Sequence, residues 1–257
     1  MIGARRARGA RLRSELRYVA TRLFVGAVVR GYVRLRVSGL DRLPSGACVL
    51  CFNHQSWTDP FVLLAVLPWW PRLYIFGPRE ADMTRGWRNR LMAWTGTPVP
   101  YRPAGDDLRG AARRAQAVLE SGGILAIAGE GRIHAGEAEL LPLSEGAAFF
   151  ALRAGVPLVP CAINGTSWLA FGRRIRVRAG PPIEVSGRPT QAAVRELTER
   201  LWTELHELCQ GYPDPAPPGW FGRWLTEAFN DWPEGARPDV RRVTTATDAG
   251  SPIRRES

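Results

Sequence analysis

Short apolar runs alternate with longer amphipathic segments between residues 47 and 163, and this alternation restricts the possible folds more than any other feature. The runs at 47–52, 124–128 and 156–163 contain no charged residue, so they predict buried strands. Strands that are apolar on both faces are typical of a parallel sheet with helices on each side. We therefore predict an α/β fold with a largely parallel sheet flanked by helices, preceded by an amphipathic N-terminal helix.

Composition divides the 257 residues into three parts. Residues 1–35 form a basic, amphipathic N-terminal arm, and residues 36–210 form a domain that is long enough for one full core. Residues 211–257 begin with a proline-rich linker, followed by a short amphipathic segment and a polar tail that we expect to be disordered. Docking on the domain and docking on lipid both remain open for the short segment.

The N-terminal arm carries most of the positive charge of the protein. Of the formal net charge of +11, residues 1–36 contribute +9, from ten arginines and one acidic residue. A basic segment of this kind indicates nucleic acid or an anionic membrane as a partner. We favour a membrane surface and expect no nucleic acid, because apolar residues recur at helical spacing, namely Leu12, Leu16, Val19, Leu23 and Ala27. An ordinary helix packed on its own domain is the alternative.

The sequence contains no run of the roughly 18 apolar residues that a membrane-spanning helix requires. The apolar run at 23–29 is too short and is not followed by a signal-cleavage pattern. We therefore expect a peripheral protein at the cytoplasmic face of a membrane.

His54 follows the predicted strand at 47–52 and is the first candidate for catalysis. Asp59 and Pro60 are predicted to open the next helix, with Asp59 as its N-cap. In parallel sheets, reactive groups collect beyond the carboxyl ends of strands, where His54 is placed. A histidine can act as a general base near neutral pH, and an aspartate can hold one of its ring nitrogens. The spacing alone is common by chance, so a polar turn residue and a capping aspartate would also explain it.

Four segments in order resemble the motifs of the glycerophospholipid acyltransferases, whose best-known members acylate lysophosphatidic acid. They are Asn-His-x-Ser-x-x-Asp at 53–59, a glycine-headed strand ending in arginine at 96–102, Glu-Gly-Arg within 127–132 and Val-Pro-x-x-Pro at 156–160. The resemblance spans roughly residues 36–190. In the third segment Ala128 and Gly129 replace the usual Phe-Pro, and Arg132 follows Glu-Gly without an intervening threonine.

The resemblance implies catalytic roles for two residues of the first motif. His54 takes a proton from the acceptor hydroxyl, and Asp59 orients the imidazole and supports its charged form. Asn53 and Ser56 are expected to brace the turn and not to react.

The second and third motifs imply substrate-binding residues. Arg102 and Arg132 are expected to hold the phosphate of the acceptor, since a guanidinium group binds phosphate at two points. Glu130 is expected to bind an acceptor hydroxyl or to hold one of these arginines. Gly131 would allow the backbone to approach the substrate closely.

The activity implied by the resemblance is transfer of a fatty acyl group in phospholipid biosynthesis. The donor is acyl-CoA or acyl-carrier protein, and the acceptor is the free hydroxyl of a lysophospholipid, first of all 1-acylglycerol-3-phosphate. Apart from the acyl donor as co-substrate, no cofactor is expected. The alternatives are a different lysolipid or a glycolipid as acceptor, or a non-catalytic lipid-binding protein on the same fold. A hydrolase would need a serine nucleophile, and the sequence has no Gly-x-Ser-x-Gly motif.

Four cysteines are present, and they are predicted to be buried thiols. Cys48 and Cys51 have Cys-x-x-Cys spacing but lie in a predicted buried strand, while Cys161 and Cys209 fall in another strand and a late helix. No second pair of this spacing exists, and the three histidines are far apart in sequence. We therefore expect neither a metal site nor a redox site.

Overall fold

A computed structural model describes residues 2–78, 86–101, 108–134 and 136–230 of the chain. In this part of the chain seven strands form one sheet: β1 (Arg34–Ser38), β2 (Cys48–Phe52), β3 (Leu73–Pro78), β4 (Pro98–Tyr101), β5 (Ile124–Ala128), β6 (Leu158–Asn164) and β7 (Arg174–Ala179). Their order is β1-β7-β6-β2-β5-β3-β4, and every neighbouring pair is parallel except β6 and β7. The prediction of a largely parallel α/β sheet is confirmed.

Helices cover both faces of the sheet. They are α1 (Ile2–Tyr32), α2 (Asp59–Val66), α3 (Gly86–Thr95), α4 (Leu108–Glu120), α5 (Gly146–Ala154), α6 (Gln191–Cys209) and α7 (Trp220–Phe229). Buried side chains of α1, α2 and α3 share one core with the sheet, and those of α4, α5 and α6 share the other. The N-terminal helix that the sequence predicts is therefore present and belongs to the first layer.

The central strand β2 contributes to both cores, as a strand of continuous apolar character should. Cys48, Leu50 and Phe52 point into the core beneath α1 and α2. Val49 and Cys51 point into the core on the opposite face. All five are buried.

All four cysteines are buried and unpaired, as predicted. Because side chains alternate along a strand, Cys48 and Cys51 lie on opposite faces of the sheet and cannot bind one metal ion together. Burial raises the pKa of the Cys48, Cys161 and Cys209 thiols to about 12. Thiols in this state are poor nucleophiles, which agrees with a packing role.

The sequence also predicts two short strands, at 173–177 and 182–185, that pair with each other near an edge of the sheet, and the structure shows that this prediction is wrong. β7 lies between β1 and β6, and it is β1 that forms the edge. Ile175, Val177 and Ala179 of β7 are buried, while the residues between them are at least partly exposed. The other predicted strand contributes only an isolated bridge between Ile183 and Leu158.

Helix α1 packs against α2 through arginines as well as apolar residues. The guanidinium of Arg22 donates to the carbonyl oxygens of Leu67 and of Pro68, the latter at 2.8 Å. Arg30 Nη2 donates to the carbonyl oxygen of Ala65 at 2.5 Å. These carbonyls lie at the C-terminal end of α2, where backbone acceptors lack helical partners and the helix dipole favours a cation.

The apolar stripe that the sequence predicts on α1 points away from the domain. Leu12, Leu16 and Leu23 are each about 60% exposed, and Val19 is 36% exposed. The opposite side of the helix, which includes Tyr18 and Val25, is buried. The helix is thus packed on its own domain by one face and leaves the predicted stripe uncovered. Among the described residues, no helix has both the length and the apolarity to cross a bilayer.

Helix α7 docks on the domain by a narrow face. Gly222 and Thr226 are buried, whereas Trp220, Phe221 and Trp224 are exposed. The tail predicted to be disordered, residues 236–257, lies outside the described residues.

Replacement of Arg22 by methionine should destabilise the protein, because the carbonyls of Leu67 and Pro68 lose a charged donor in a buried place. We expect the free energy of unfolding to fall by about 1.5–3 kcal/mol, measured by urea denaturation. Arg13→Met on the same helix is the control, since Arg13 is exposed and a surface change of this kind stays within about 0.5 kcal/mol. Equal effects of the two substitutions would show that the Arg22 contacts do not stabilise the fold.

Candidate active site

His54 lies at the carboxyl end of β2, in the turn 53–58 that leads into α2. Its Nδ1 atom is 3.0 Å from Oδ2 of Asp59. The histidine side chain is 14% exposed, whereas the aspartate side chain is fully buried. The structure therefore brings together the two residues that the sequence nominates for catalysis, with the histidine as the one that solvent reaches.

The Asp59 carboxylate is held by three further hydrogen bonds. Its Oδ2 accepts from the backbone N–H groups of Gln55 and Ser56, both at 2.9 Å. Its Oδ1 accepts from the Thr166 hydroxyl at 2.6 Å. Together with His54, these donors fix the orientation of the carboxylate.

The prediction that Asp59 is the N-cap of α2 is wrong. Thr58 occupies the cap position and Asp59 is the first residue of the helix. From this position the carboxylate reaches back to the N–H groups of the preceding turn and not forward to those of the helix. Its hydrogen bonds thus shape the turn that carries His54.

Asn53 and Ser56 make contacts of the bracing kind that the sequence leads us to expect. The Asn53 side chain donates to the carbonyl oxygen of Ile163 at 2.9 Å and accepts from its N–H at 2.7 Å. This exchange continues the pairing of β2 with β6 beyond the last strand residue. Ser56 Oγ accepts from the N–H of Thr58 at 3.1 Å.

Glu130 holds the backbone of His54 through a hydrogen bond. It follows β5, which pairs with β2, and its Oε2 accepts from the His54 N–H at 2.7 Å. Its Oε1 accepts from the Leu141 N–H at 2.9 Å and lies 2.7 Å from His134 Nε2. The sequence predicts that Glu130 binds an acceptor hydroxyl or an arginine. In the structure its two oxygens are instead directed at backbone groups and at a second histidine.

The remaining predicted binding residues are Gly131, Arg132 and Arg102, of which the structure describes the first two. Gly131 has a φ of 67°, a left-handed conformation that favours glycine, and the space where a β-carbon would lie is open. Arg132 beside it is exposed. Arg102 lies outside the described residues. The assignment of the two arginines to an acceptor phosphate stays a prediction.

The sequence analysis does not identify two residues that support Asp59, namely Thr166 and Glu137. Thr166 follows β6, the strand next to β2, so its position beyond a strand end was a usable signal. Glu137 is fully buried, and its carboxylate accepts from the N–H of Gly165 at 2.5 Å and from the Ser167 hydroxyl at 2.5 Å. It thereby fixes the loop that holds Thr166. Nothing in the local sequence around Glu137 indicates this contact.

Burial raises the pKa of Glu137 to about 7, although the hydrogen bonds from Ser167 and Gly165 act in the opposite direction. The charge of Asp59 contributes a further, smaller increase. The segment between β5 and α5 therefore contains a carboxyl group that contacts the loop holding Thr166 and titrates near neutral pH.

Comparison with known proteins places the chain in a family. Residues 34–164 match the model of the family described as Acyltransferase, which is just over half of the 257 residues. The chain therefore belongs to this acyltransferase family, and the resemblance inferred from the four motifs is confirmed.

A solved structure shows a similar fold. It is the crystal structure of the 1-acyl-sn-glycerophosphate (LPA) acyltransferase PlsC from Thermotoga maritima, with a TM-score of 0.51. The match covers 71% of this chain and 75% of that chain, at 19% sequence identity. At this identity the likeness concerns the fold.

Removal of the Glu137 carboxyl group should change how stability depends on pH. Its pKa in the folded protein is about 7, above the ordinary value of 4.5, so the folded state binds more protons between these values. The contribution of Glu137 to stability is therefore full below about pH 4.5 and declines until about pH 7. We expect the difference in unfolding free energy between the wild type and Glu137→Gln to fall over this window, as measured by urea denaturation at several pH values.

Glu196→Gln is the control for this titration, because Glu196 is exposed on α6. Its pH dependence should match that of the wild type. A Glu137→Gln variant with the same pH dependence as the wild type would contradict the assignment of the titration to Glu137.

Proposed function

We propose that this acyltransferase moves a fatty acyl group from acyl-CoA or acyl-carrier protein to the free hydroxyl of a lysophospholipid. The acceptor that we propose first is 1-acylglycerol-3-phosphate. The observation that carries the proposal is the contact between His54 Nδ1 and the buried Asp59 carboxylate, in a chain of the acyltransferase family. The similar fold of PlsC, a 1-acyl-sn-glycerophosphate acyltransferase, supports the choice of acceptor.

The reaction uses the second ring nitrogen of His54. Because Nδ1 is held by Asp59, Nε2 is the atom that accepts the proton of the acceptor hydroxyl. The oxygen attacks the thioester carbonyl as this proton leaves, and a tetrahedral intermediate forms. When the intermediate collapses, the carbon–sulfur bond breaks and the thiolate takes the proton from the imidazolium. General-base help of this kind accelerates reactions by about 10²–10⁴-fold.

Asp59 makes the histidine effective in two ways. Its four hydrogen bonds fix the carboxylate, which in turn fixes the plane and the tautomer of the imidazole. Its negative charge supports the imidazolium that forms as the hydroxyl is deprotonated.

The proposed acceptor carries a phosphate, for which Arg132 and Arg102 are the candidate ligands. Arg132 is exposed and lies two residues beyond Glu130, whose carboxylate contacts the backbone of His54. An arginine at this place can bind a phosphate at two points. The second arginine, Arg102, follows β4 in the sequence.

Two alternatives to the proposed function predict different results in an acyl-transfer assay. Another lysolipid or a glycolipid could replace 1-acylglycerol-3-phosphate as acceptor. A non-catalytic lipid-binding protein could share the fold, but the intact contact between His54 and Asp59 argues against it.

The decisive measurement is acyl transfer by the purified protein and by its His54→Ala variant. We expect the variant to lose about 10²–10⁴-fold in kcat, because it lacks the general base. His206→Ala is the matched control, since His206 lies on α6, on the opposite face of the sheet from α2. A folded His54→Ala protein with wild-type turnover would rule out the proposed mechanism.

The acceptors in this assay should be 1-acylglycerol-3-phosphate, lysophosphatidylcholine and monoacylglycerol, each with palmitoyl-CoA and palmitoyl-acyl-carrier protein. The proposal predicts the highest kcat/KM for the acceptor with a terminal phosphate. Preference for a neutral acceptor would favour the glycolipid alternative. Absence of transfer to every acceptor would favour the non-catalytic one.

We propose in addition that the protein is peripheral to the cytoplasmic face of an anionic membrane and contacts it through α1. The uncovered stripe of Leu12, Leu16, Val19 and Leu23 supports this proposal. Arg13 and Arg17 on the same helix are exposed and supply positive charge. Phe24 extends the apolar surface through an edge contact with the exposed Trp94, at 6.1 Å between ring centroids.

Substitution of Leu16 by glutamate should weaken binding to phosphatidylglycerol vesicles, because a charge replaces an apolar side chain at the interface. Loss of one buried leucine corresponds to about 10- to 100-fold in affinity. Ala117→Glu adds the same charge on α4, which covers the opposite face of the sheet, and should have a much smaller effect. Co-sedimentation at low and high salt measures both, and equal effects of the two substitutions would exclude α1 as the contact.

A further inference from the structure

A residue just beyond the end of α7 makes direct contact with the catalytic turn, which is the turn 53–58 between β2 and α2. Asn230 is only 4% exposed, and its Oδ1 atom accepts from the Ser56 hydroxyl at 2.9 Å and from the Trp57 N–H at 3.0 Å. Ser56 and Trp57 lie between His54 and Asp59 in the sequence. The turn that carries the candidate catalytic pair is thus held by a side chain that lies 174 residues after Ser56.

Helix α7 places Asn230 at this point. Thr226 on the buried face of α7 accepts from the N–H of Leu169 through its hydroxyl at 2.8 Å. A β-carbon on Gly222 would lie 2.7 Å from the Leu169 carbonyl oxygen, so the helix approaches the domain closely there. The N–H of Asn230 donates to the Thr226 carbonyl at 2.7 Å, so Asn230 is the C-cap of α7. Its side chain is buried in the domain.

Aromatic packing holds the same end of α7 against the turn. Phe229, the last residue of the helix, packs against Trp57 with the rings tilted by 30° and 5.6 Å between their centroids. Trp57 also contacts Phe61 on α2, at 5.3 Å between centroids. The end of α7 therefore meets the turn by an apolar contact and by two hydrogen bonds.

The hydrogen bonds that Asn230 accepts come from the same part of the turn that holds the Asp59 carboxylate. The N–H of Ser56 donates to Asp59 Oδ2, and so does the N–H of Gln55 before it. A shift of Ser56 therefore moves a donor of the carboxylate that orients His54. Small displacements at this point matter, because a misplacement of about 1 Å in catalytic geometry can reduce the rate about 100-fold.

We propose that Asn230 is a positioning residue for the catalytic turn and acts through Ser56 and Trp57. An amide oxygen suits this role because it accepts two hydrogen bonds without placing a charge beside Asp59. Asn230 contacts no reacting atom, so its loss should lower the rate of transfer and leave substrate binding unchanged. The proposal rests on the proposed acyl transfer for its kinetic test, and a structural test does not depend on that activity.

The kinetic test compares Asn230→Ala with Trp224→Ala in the full chain, with palmitoyl-CoA and 1-oleoylglycerol-3-phosphate as substrates. Asn230→Ala should lower kcat by about 10- to 100-fold with both KM values unchanged. Trp224→Ala changes the exposed side of the same helix, away from the turn, and should keep kcat within about twofold. Equal losses of kcat in the two variants, or no loss in Asn230→Ala, would overturn the proposal.

Two further variants test the route and the chemistry. If Asn230 acts through Ser56, the effect of Asn230→Ala on kcat should be smaller in a Ser56→Ala background than in the wild type. Additive effects would contradict this route. Asn230→Asp retains an acceptor for both hydrogen bonds but places a charge beside Asp59, so its kcat should lie between those of Asn230→Ala and the wild type. If the alanine variant does not fold, a His54 imidazole signal that stays in place in Asn230→Asp would contradict the proposal.

The structural test observes His54 directly. The chain has only three histidines, so selective ¹⁵N labelling gives three pairs of imidazole signals, and His54→Ala identifies the pair from His54. Asn230→Ala should shift the His54 signal, and Trp224→Ala should leave it in place. A His54 signal that does not move in Asn230→Ala would refute positioning by Asn230. Failure of the proposed acyl transfer alone would appear instead as absent turnover in the wild type.

Discussion

The burial of the Asp59 carboxylate is the constraint on which the candidate site depends. A carboxylate without access to water must receive from the protein the hydrogen bonds that it loses on folding. Asp59 receives them from His54, from two N–H groups of its own turn and from the Thr166 hydroxyl. The turn and the loop after β6 must therefore adopt one mutual arrangement, and the imidazole orientation follows from it.

The place of β2 in the sheet explains why these supports can converge. β2 is the fourth of seven strands, with β5 on one side and β6 on the other. The chain leaving β5 supplies Glu130 to the His54 backbone, and the chain leaving β6 supplies Thr166 to Asp59. Asn53 ties the end of β2 to β6 by a pair of hydrogen bonds. A histidine on an edge strand would have a neighbouring strand on one side only.

The sequence predicts well what depends on local pattern. Continuous apolar runs predicted β2, β5 and β6, and the motif at 53–59 identified His54 and Asp59 before their contact was known. The error about Asp59 as a helix cap arose because an aspartate before a proline fits two local arrangements. β7 was misplaced at the edge because strand order depends on pairing between distant segments.

Residues whose partners are remote in the sequence could not be predicted in this way. Glu137 meets the loop at 165–167 with α5 and β6 between them in the sequence, and Asn230 meets Ser56 across most of the chain. Their residue types are common in loops and at helix ends, so the sequence alone does not indicate these contacts. Arg22 is a similar case, because an arginine in a basic helix would be expected at the surface, whereas the structure buries this one between α1 and the end of α2.

The contact of Arg22 and Arg30 with α2 has a practical consequence for work with shortened chains. A protein trimmed to the domain boundary near residue 35 would lose both guanidinium groups from the carbonyls at the end of α2. It would also lose Tyr18 and Val25 from the core on that face. Because α2 begins at Asp59, the damage would reach the element that carries the carboxylate of the candidate site. Shortened versions for crystallisation should therefore keep α1 and change only its outward leucines.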